Sequence, residues 1–578
     1  MVRVNHDDAN LIGSLSPYLP EDRLAELGGA GAVGGGTGSA LFADVVGFSL
    51  LTTRLAKVLG PRRGAEEVPR YLNTLYEALI GAAREQNGSV VGFAGDAIIC
   101  WFAGDDGNRA TASACAMQVA MAAFSDLAIP LTAATVTLSL KVSVASGAVK
   151  RYAVGDPDLQ LLDIVVGATV ARLEALNGLA RRGQVLVDLA TAAALRGKVD
   201  LALVASTNPV AFVLQWPLRA PKAVPSEART TVNAAAVARW LLPTIHRRLA
   251  AGGGDFITEL RPVAALFIAF AGIDFDEDGG AGEKLDWLVR TVQRVASEYG
   301  GNVLQLTGGD KGTYAYLAFG APVAHEDDTG RAAAAALDLR AELLGASFLT
   351  DLKMGLGYGT ARTGAYGSSG RRTYGALGPE TNLAARLMAA APHGAIHASG
   401  AFVNALGEGF VVKALPGLVA KGWPVPVERY DVVSRSGSVA GGQHTTPLAG
   451  RQAETAAIRA AVEQAAGGSG RALHVVGEAG VGKSELVAQT LRAAPAVRVV
   501  AGACQAFGKT APYQAWKGVL QQLVGVTQGA SAAERTALLE SALGPELVGR
   551  AALLAPLLDF AVPESDQVAA MSAEDRSA

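Results

Sequence analysis

The stretch ALFADVVG at residues 40–47 is echoed by ALFIAFAG at residues 265–272, and this correspondence decides the fold. Each stretch is an apolar run that ends in glycine, as expected of a buried strand followed by a turn. A second pair repeats at a similar spacing, with LKVSVASG at residues 140–147 and LKMGLGYG at residues 352–359. Such self-similarity indicates two copies of one domain.

The pattern within each copy predicts an α+β fold. An apolar strand is followed by a long helix, a strand pair, a second helix and more strands, which is typical of helices packed on a largely antiparallel sheet. Segments rich in proline, glycine or serine separate the parts. We expect an N-terminal extension at 1–37, a first domain at 38–205, a connector at 206–259 with a short helix near 237–249, a second domain at 260–433, a linker at 434–446 and a C-terminal domain at 447–578.

Composition excludes several classes of function. The chain has 578 residues, half of them apolar, and a formal net charge of −3, so neither nucleic acid nor a charged membrane surface is an expected partner. The sequence contains no pattern of a signal peptide or a membrane span. Its three cysteines are far apart, which favours reduced thiols and a cytoplasmic protein.

Two aspartates stand out in the first copy. Asp44 interrupts an apolar strand, where an unmatched carboxylate costs several kcal/mol, and the second copy has Ala269 at that position. Asp96 falls in a predicted hairpin turn that brings it beside the end of the first strand. The pair predicts a site for two Mg²⁺ ions. Alternatively, Asp44 caps the following helix and Asp96 is a turn residue.

The second copy carries a different set of polar residues. After Gly378 and Pro379, which predict a helix start, Asn382 and Arg386 are four residues apart and share one helix face. The corresponding run in the first copy lacks this Asn/Arg pair. The two copies have therefore diverged in a complementary way, which predicts one functional site and one degenerate site.

These motifs resemble those of the class III nucleotide cyclases. The resemblance covers FADVVGFS at residues 42–49, FAGD at residues 93–96 and NLAAR at residues 382–386. The tandem order with a following P-loop domain is similar to the soluble, bicarbonate-responsive adenylyl cyclases. It implies two ferredoxin-like domains, derived from a βαββαβ unit, that pair within the chain pseudo-symmetrically and form a site at their interface.

The resemblance implies conversion of ATP to 3′,5′-cyclic AMP and pyrophosphate, in intracellular signal transduction. Asp44, Asp96 and Val45 would bind two Mg²⁺ ions, with Mn²⁺ as an alternative, to activate the ribose 3′-hydroxyl and neutralise the triphosphate. Arg386 would stabilise charge on the α-phosphate, and Asn382 would orient the ribose.

Residues for substrate binding also follow from the resemblance. Lys311 is expected to donate a hydrogen bond to the adenine ring, which favours ATP over GTP because guanine N1 carries a proton. The family's second purine contact corresponds to Gly375, which has no side chain. Lys421 and Lys141 correspond to triphosphate contacts, although a solvated lysine at a strand end is the alternative for both.

The degenerate site is the expected place for a regulatory ligand. Bicarbonate-sensing relatives have a lysine just before the Phe-Ala-Gly-Asp motif, where this chain has Gly92. Arg172 corresponds to the other anion-contacting residue once a gap is introduced. The sequence therefore leaves bicarbonate activation open.

A P-loop motif follows a predicted strand at residues 473–476. The sequence GEAGVGKS at residues 477–484 has the spacing of a Walker A loop, in which backbone amides surround the phosphates, the lysine reaches the β- and γ-phosphates and the serine binds Mg²⁺. No apolar strand ending in a second acidic residue follows, so we expect a truncated α/β P-loop NTPase domain that binds ATP. The predicted cofactor-binding residues are Gly477, Gly480, Gly482, Lys483 and Ser484.

Two alternatives to an adenylyl cyclase remain. One is a signalling scaffold, in which a catalytically weak cyclase pair senses ATP and passes its state to the NTPase domain; Gly375 and the missing second acid favour it. The other is a guanylyl cyclase, which Lys311 disfavours.

Overall fold

The computed structural model separates into two compact units, at Met1–Ala440 and Gly441–Ala578. Each unit is treated by itself. The structure describes residues 6–29, 35–132, 134–204, 210–214, 232–252, 259–309, 312–325, 327–407, 409–419, 423, 425–435, 450–477, 483–492, 497–500, 502, 514–525, 532–554, 562, 565–569 and 571.

The first half of the larger unit is built on an eight-stranded sheet. Its strand order is β2-β3-β1-β6-β8-β10-β9, with β7 paired to β6, and the β6–β8 pair is parallel while the other pairs are antiparallel. The strands, with a separate β4–β5 pair, are Gly35–Val46 (β1), Ser89–Ala94 (β2), Ala97–Ala103 (β3), Leu127–Ala128 (β4), Thr135–Val136 (β5), Ser139–Val154 (β6), Leu162–Val166 (β7), Val185–Asp188 (β8), Leu201–Val204 (β9) and Ala211–Leu214 (β10).

The second half repeats this topology. Its sheet has the order β12-β13-β11-β14-β16-β18-β17, with β15 paired to β14 and a parallel β14–β16 pair. Two similar, largely antiparallel sheets confirm the predicted internal repeat and the mixed helix-and-sheet fold. The strands are Glu259–Ala271 (β11), Asn302–Gly309 (β12), Gly312–Phe319 (β13), Asp351–Gly367 (β14), Arg372–Leu377 (β15), Ile396–Ser399 (β16), Phe410–Leu418 (β17) and Val427–Arg435 (β18).

Helices cover these sheets and also occur in the N-terminal segment and in the connector. Those of the larger unit are His6–Leu15 (α1), Glu21–Leu27 (α2), Phe48–Leu59 (α3), Pro61–Arg84 (α4), Asn108–Ala120 (α5), Ala168–Leu179 (α6), Leu189–Ala194 (α7), Ala234–Ala238 (α8), Pro243–Ala250 (α9), Ala281–Glu298 (α10), Asp328–Leu343 (α11), Pro379–Ala390 (α12) and Gly400–Ala405 (α13). The predicted connector helix near 237–249 is thus two short helices, the first ending at Ala238 and the second beginning at Pro243.

Amphipathic spacing explains how α4 covers the first sheet. Leu72, Leu75, Tyr76 and Leu79 recur at intervals of three and four residues, so they lie on one face of the helix. All four are fully buried and belong to the same core as Leu41 of β1. Burial of such side chains stabilises the fold by about 1.5–3 kcal/mol each.

The first sheet extends further than the sequence indicates. Strand β10 lies inside the predicted connector, yet it pairs with β8 at Ala211 opposite Asp188 and with β9. Residues 211–214 of the predicted connector therefore belong to the first sheet, as a short strand between β8 and β9 that proline-rich flanks mask in the sequence.

Side chains of the second half enter the core of the first. The ring of Tyr366, on β14, belongs to the core that α4 covers, with its centroid 6.1 Å from that of Tyr76 and 5.6 Å from that of Phe93. Arg371, in the loop before β15, is buried and donates from Nε to the carbonyl of Val90 at 2.8 Å. Its Nη1 also donates to the carbonyl of Tyr18 at 3.0 Å.

The N-terminal segment forms ion pairs with the first half of the larger unit. Arg23, on α2, forms a buried ion pair of 2.8 Å with Asp163 of β7. Glu21 of the same helix pairs with Arg84 at the end of α4. The predicted extension at 1–37 therefore packs on the first half, because its charged side chains match charges on the domain surface.

The smaller unit is helical in the part described. Its helices are Gln452–Ala466 (α14), Lys483–Arg492 (α15), Gln514–Val524 (α16), Ala532–Leu547 (α17) and Asp566–Ala569 (α18). The strand predicted at residues 473–476 is wrong, since the described backbone there forms no strand and Leu473 and Val476 are exposed. A strand needs a paired neighbour, and none is found among the described residues of this unit.

In the portion of the chain that the structure describes, every helix is too short or too polar to cross a lipid bilayer.

We expect Arg371→Met to lower the free energy of unfolding of the larger unit by about 2–4 kcal/mol, because two buried carbonyl groups lose a charged donor. Differential scanning calorimetry measures the change. Arg372→Met is the matched control, since Arg372 is only half-buried. An equal loss in both variants would show that Arg371 does not join the halves.

Candidate functional site

Asp44 lies near the end of β1, between two buried neighbours. It pairs across the sheet with Ala97 of β3 on one side and with Lys141 of β6 on the other. The Lys141 Nζ is 2.8 Å from Asp44 Oδ2, and the two side chains are 20% and 24% exposed. Asp44 does not cap the next helix, since the residue before α3 is Gly47. The ion pair meets the need for a counter-charge that an apolar strand imposes.

Asp96 lies in the two-residue turn between β2 and β3, as the sequence predicts. Gly95 takes φ of +66° there, a conformation that a tight turn needs and glycine adopts freely. The next residue, Ala97, is the strand partner of Asp44, so the two carboxylates are neighbours. Burial and, after it, the negative charge of Asp44 raise the pKa of Asp96 to about 7, although a backbone hydrogen bond and Lys141 partly oppose the shift.

This pair has the chemistry of a site for a hard divalent cation. Two adjacent carboxylates offer oxygen ligands, and burial, followed by the negative charge of Asp44, raises the pKa of Asp96. Val45 is paired with Leu140 and its side chain is buried, so only its carbonyl group can contribute. Among the described residues no cluster of three or more acids, histidines or cysteines is found, so phosphate and water must complete any such site.

Asn382 and Arg386 lie one turn apart on α12. This helix begins at Pro379, as predicted, and packs closely on β14 because that strand presents glycines beneath it. A Cβ atom on Gly355 would come within 2.2 Å of the Ala384 carbonyl oxygen. Asn382 is exposed and Arg386 is half-buried.

Residues of both halves line one cavity of about 340 Å³. Asp96 of the first half and Asn382 of the second both line it. Thus a predicted metal-binding carboxylate and a predicted ribose-orienting amide face the same space, although they come from different halves. The wall of this cavity also includes Gly92, Phe93, Tyr314, Tyr316, Tyr366, Gly375 and Thr381.

The predicted substrate-binding lysines have different outcomes. Lys311 and Lys421 lie outside the described residues. Lys141 is engaged by Asp44 and also donates to the carbonyl of Asn177 at 3.3 Å. Its role as a triphosphate contact therefore requires that its ammonium leave Asp44 or be shared with the phosphate.

At the start of α6, where the sequence predicts a degenerate half-site, protein groups occupy the polar positions. A carboxylate oxygen of Asp276, from the loop after β11, accepts a hydrogen bond of 2.8 Å from the backbone amide of Ala168 at the start of α6. Arg172 donates to Asp188 at 3.0 Å and to the carbonyl of Ser146 at 3.0 Å. An anion at this helix start would have to displace the Asp276 carboxylate.

The P-loop residues are described only in part. Lys483 begins α15, and its Nζ donates to the carbonyl of Gly477 at 2.9 Å. The backbone of Ser484 is helical. Gly480 and Gly482 lie outside the described residues. A lysine at a helix start is where a phosphate-binding loop requires one.

Three residues of the larger unit were missed by the sequence analysis. They are Tyr366, Arg371 and Asp276. Each of these residues contacts the other half of the unit, so no local sequence pattern predicts its role. One signal was available for Tyr366 and Arg371. They are large residues in a segment, 364–373, whose other positions are mostly small.

Comparison with known proteins supports two domain types. Residues 36–209 match the family model of the adenylate and guanylate cyclase catalytic domain, and residues 447–575 match that of an AAA ATPase domain. The chain therefore carries a cyclase-type domain and an ATPase-type domain. No curated protein matches the chain.

Several solved structures are similar to parts of this chain. The adenylyl cyclase CyaB from P. aeruginosa shares 22% identity over 31% of this chain and 97% of its own, with a TM-score of 0.29. The guanylate cyclase domain of RhGC from Catenaria anguillulae shares 21% over 31% and 100%, with a TM-score of 0.28. A class III adenylyl cyclase-like ATP-binding protein from Pseudomonas aeruginosa shares 12% over 70% and 93%, with a TM-score of 0.45.

Asp96→Asn should raise stability more at pH 8 than at pH 5 in metal-free protein, with a difference of about 2 kcal/mol. The folded state holds the Asp96 proton up to about pH 7, whereas an unfolded aspartate loses it near pH 4, so wild-type stability falls as pH rises between these values. Asparagine mimics the protonated form and removes this dependence. Thermal unfolding at both pH values measures it.

The exposed Asp126 provides the control, as Asp126→Asn makes the same change of charge elsewhere. A gain for Asp96→Asn that is the same at pH 5 and pH 8 would contradict the burial of an ionisable Asp96.

Proposed function

We propose that this protein is an adenylyl cyclase that converts ATP to 3′,5′-cyclic AMP and pyrophosphate in intracellular signal transduction. One observation carries the proposal: Asp96 and Asn382, from different halves of the chain, line one cavity. The match of residues 36–209 to a cyclase catalytic domain supports the reaction class. The two halves, 38–205 and 260–433 in the domain division proposed here, pair within one chain, so that neither is sufficient alone.

The roles follow from the chemistry of the side chains. Mg²⁺ or Mn²⁺ held by Asp44, Asp96 and the Val45 carbonyl would activate the 3′-hydroxyl and neutralise phosphate charge. Asn382 can hold the ribose through its amide, because it donates and accepts hydrogen bonds. Arg386, one turn further on the same helix, brings a permanent positive charge for the α-phosphate as pyrophosphate leaves. Lys141 and Lys421 are proposed to contact the triphosphate.

ATP is the proposed substrate because Lys311 donates and cannot accept a hydrogen bond. An ammonium group matches the unprotonated N1 of adenine and opposes the protonated N1 of guanine. The smaller unit is proposed to bind ATP through Gly477, Gly480, Gly482, Lys483 and Ser484 and to regulate the cyclase. The degenerate half-site is proposed to lack a bicarbonate response, since Asp276 already supplies an anionic group to α6.

A signalling scaffold is the second candidate, and the Lys141–Asp44 ion pair favours it. An ammonium at 2.8 Å partly neutralises the carboxylate that a metal ion needs. In that case the protein would bind ATP without forming a cyclic product.

The purified chain, incubated with Mg²⁺ or Mn²⁺, should form cyclic AMP from ATP at least about tenfold faster than cyclic GMP from GTP. The reason is that Lys311 can form a hydrogen bond with N1 of adenine but not with the protonated N1 of guanine. Liquid chromatography of both products measures this. Asp44→Asn should reduce product below detection while the melting temperature stays within a few degrees.

ATP binding without product under either metal would favour the scaffold. A preference for GTP would establish a guanylyl cyclase instead. Adding bicarbonate to the same assay should leave the rate unchanged.

Arg386→Ala should lower kcat by about 10²–10³ and leave KM nearly unchanged, since a charge that acts on the transition state contributes to the rate rather than to ground-state binding. Steady-state kinetics with ATP separate the two constants. Arg340→Ala, on α11, where the arginine donates to the carbonyl of Val433 on β18, provides the comparison for loss of an arginine. An increase in KM alone would assign Arg386 to ATP binding.

A further inference from the structure

The cavity wall beside Asn382 contains a position where a side chain is missing. Gly375 of β15 lines the cavity four residues before α12 begins. A Cβ atom built on Gly375 would lie 2.6 Å from Cε1 of Tyr366 and 3.3 Å from its hydroxyl oxygen. Cβ atoms in proteins essentially never come within 3.0 Å of a heavy atom to which they are not linked through nearby bonds. The Tyr366 ring therefore occupies the space that a side chain at position 375 would need.

The Tyr366 ring is fixed in this place by its neighbours. It packs edge-to-face on Phe93, with ring centroids 5.6 Å apart, and lies 6.1 Å from Tyr76. The hydroxyl of Tyr76 is in turn held by a 2.8 Å hydrogen bond to the carbonyl of Gly95. A ring packed on two others moves little, so its hydroxyl has a defined position.

The hydroxyl of Tyr366 makes no hydrogen bond within the described part of the chain, although the residue lines the cavity. Tyr316, which lines the same wall, differs in this respect. Its hydroxyl donates to the carbonyl of Ala376 at 2.9 Å. Tyr366 thus has an unused donor and acceptor facing a space that a ligand can enter.

The position of the wall indicates which part of a nucleotide meets it. In the proposed function, the acidic end of the cavity, which belongs to the first half, would hold the metal and its phosphates, and Asn382 would contact the ribose. The base would then extend along the β14–β15 hairpin, where Tyr366 and Gly375 lie. We propose that the Tyr366 hydroxyl contacts the exocyclic group at C6 of the purine and so replaces a side chain at position 375; this inference rests on the proposed function.

The chemistry of a phenol sets what this contact can do. Its oxygen accepts a hydrogen bond from the 6-amino group of adenine, and its O–H can donate to the 6-oxo group of guanine. Tyr366 therefore strengthens binding of either base, and Lys311 remains the group that separates them. An enzyme with this arrangement favours a purine that carries a polar group at C6 over one that lacks it.

The test compares ATP with purine ribonucleoside triphosphate, which carries hydrogen at C6, in the wild type and in Tyr366→Phe. Wild-type kcat/KM should favour ATP by about 3- to 10-fold through this hydrogen bond. Tyr366→Phe keeps the ring and should reduce the preference by the same factor, mainly through a lower value for ATP. Rates of cyclic product formation supply the four constants.

Tyr316→Phe is the matched control, because its hydroxyl is already used by Ala376. It should change both substrates equally and leave the ratio as in the wild type. An ATP preference that is the same in Tyr366→Phe and the wild type would overturn the proposal, as would an equal change of the ratio in both variants.

A second measurement keeps this test separate from the proposed function. Displacement of a fluorescent ATP analogue measures the dissociation constants of ATP and of purine ribonucleoside triphosphate, and hence their ratio. The measurement uses a Lys483→Ala background, which removes binding at the P-loop. If no cyclic product forms, the proposed function fails, yet a ratio that falls in Tyr366→Phe still supports the contact. An unchanged ratio of dissociation constants overturns it.

Discussion

The placement of two adjacent carboxylates at the end of a buried strand is the constraint on which the larger unit depends. The pairing of β1 with β3 brings Asp44 and Asp96 together, and burial, followed by the charge of Asp44, raises the pKa of Asp96. Lys141 supplies a positive charge from the next strand. The two carboxylates also offer oxygen ligands to a further cation.

The two halves of the larger unit bring different side chains to the cavity. Both halves share one strand order, so the strand that carries Asp44 in the first has an equivalent in the second. There the second half has Ala269, which is buried opposite Lys353 at low cost because no carboxylate has to be desolvated. The second half places Asn382 on the wall of the cavity that Asp96 also lines. An apolar residue at the position equivalent to Asp44 thus avoids the cost of a second buried carboxylate.

Sequence patterns predicted the parts of this arrangement that are local. Alternation and glycine punctuation located β1 and the Gly95–Asp96 turn, and four-residue spacing placed Asn382 and Arg386 on one helix face. The contacts of Arg371 with Val90 and of Asp276 with Ala168 could not be predicted, because each joins residues far apart in the chain. The strand predicted at 473–476 failed for a related reason, since an apolar run becomes a strand only where a partner strand is available.

Gly375 illustrates why a position considered alone can mislead. On the sequence it indicates an incomplete base pocket, which weakens the argument for a selective enzyme. In the fold, the missing side chain is the condition that allows the Tyr366 ring, nine residues earlier on the paired strand, to lie against β15. A side chain at 375 and a tyrosine at 366 exclude each other sterically, so they are alternative ways to line one wall. Selectivity in such a pocket belongs to a pair of neighbouring strands rather than to one residue, and the packing of Phe93 and Tyr76 from the other half fixes which alternative is used.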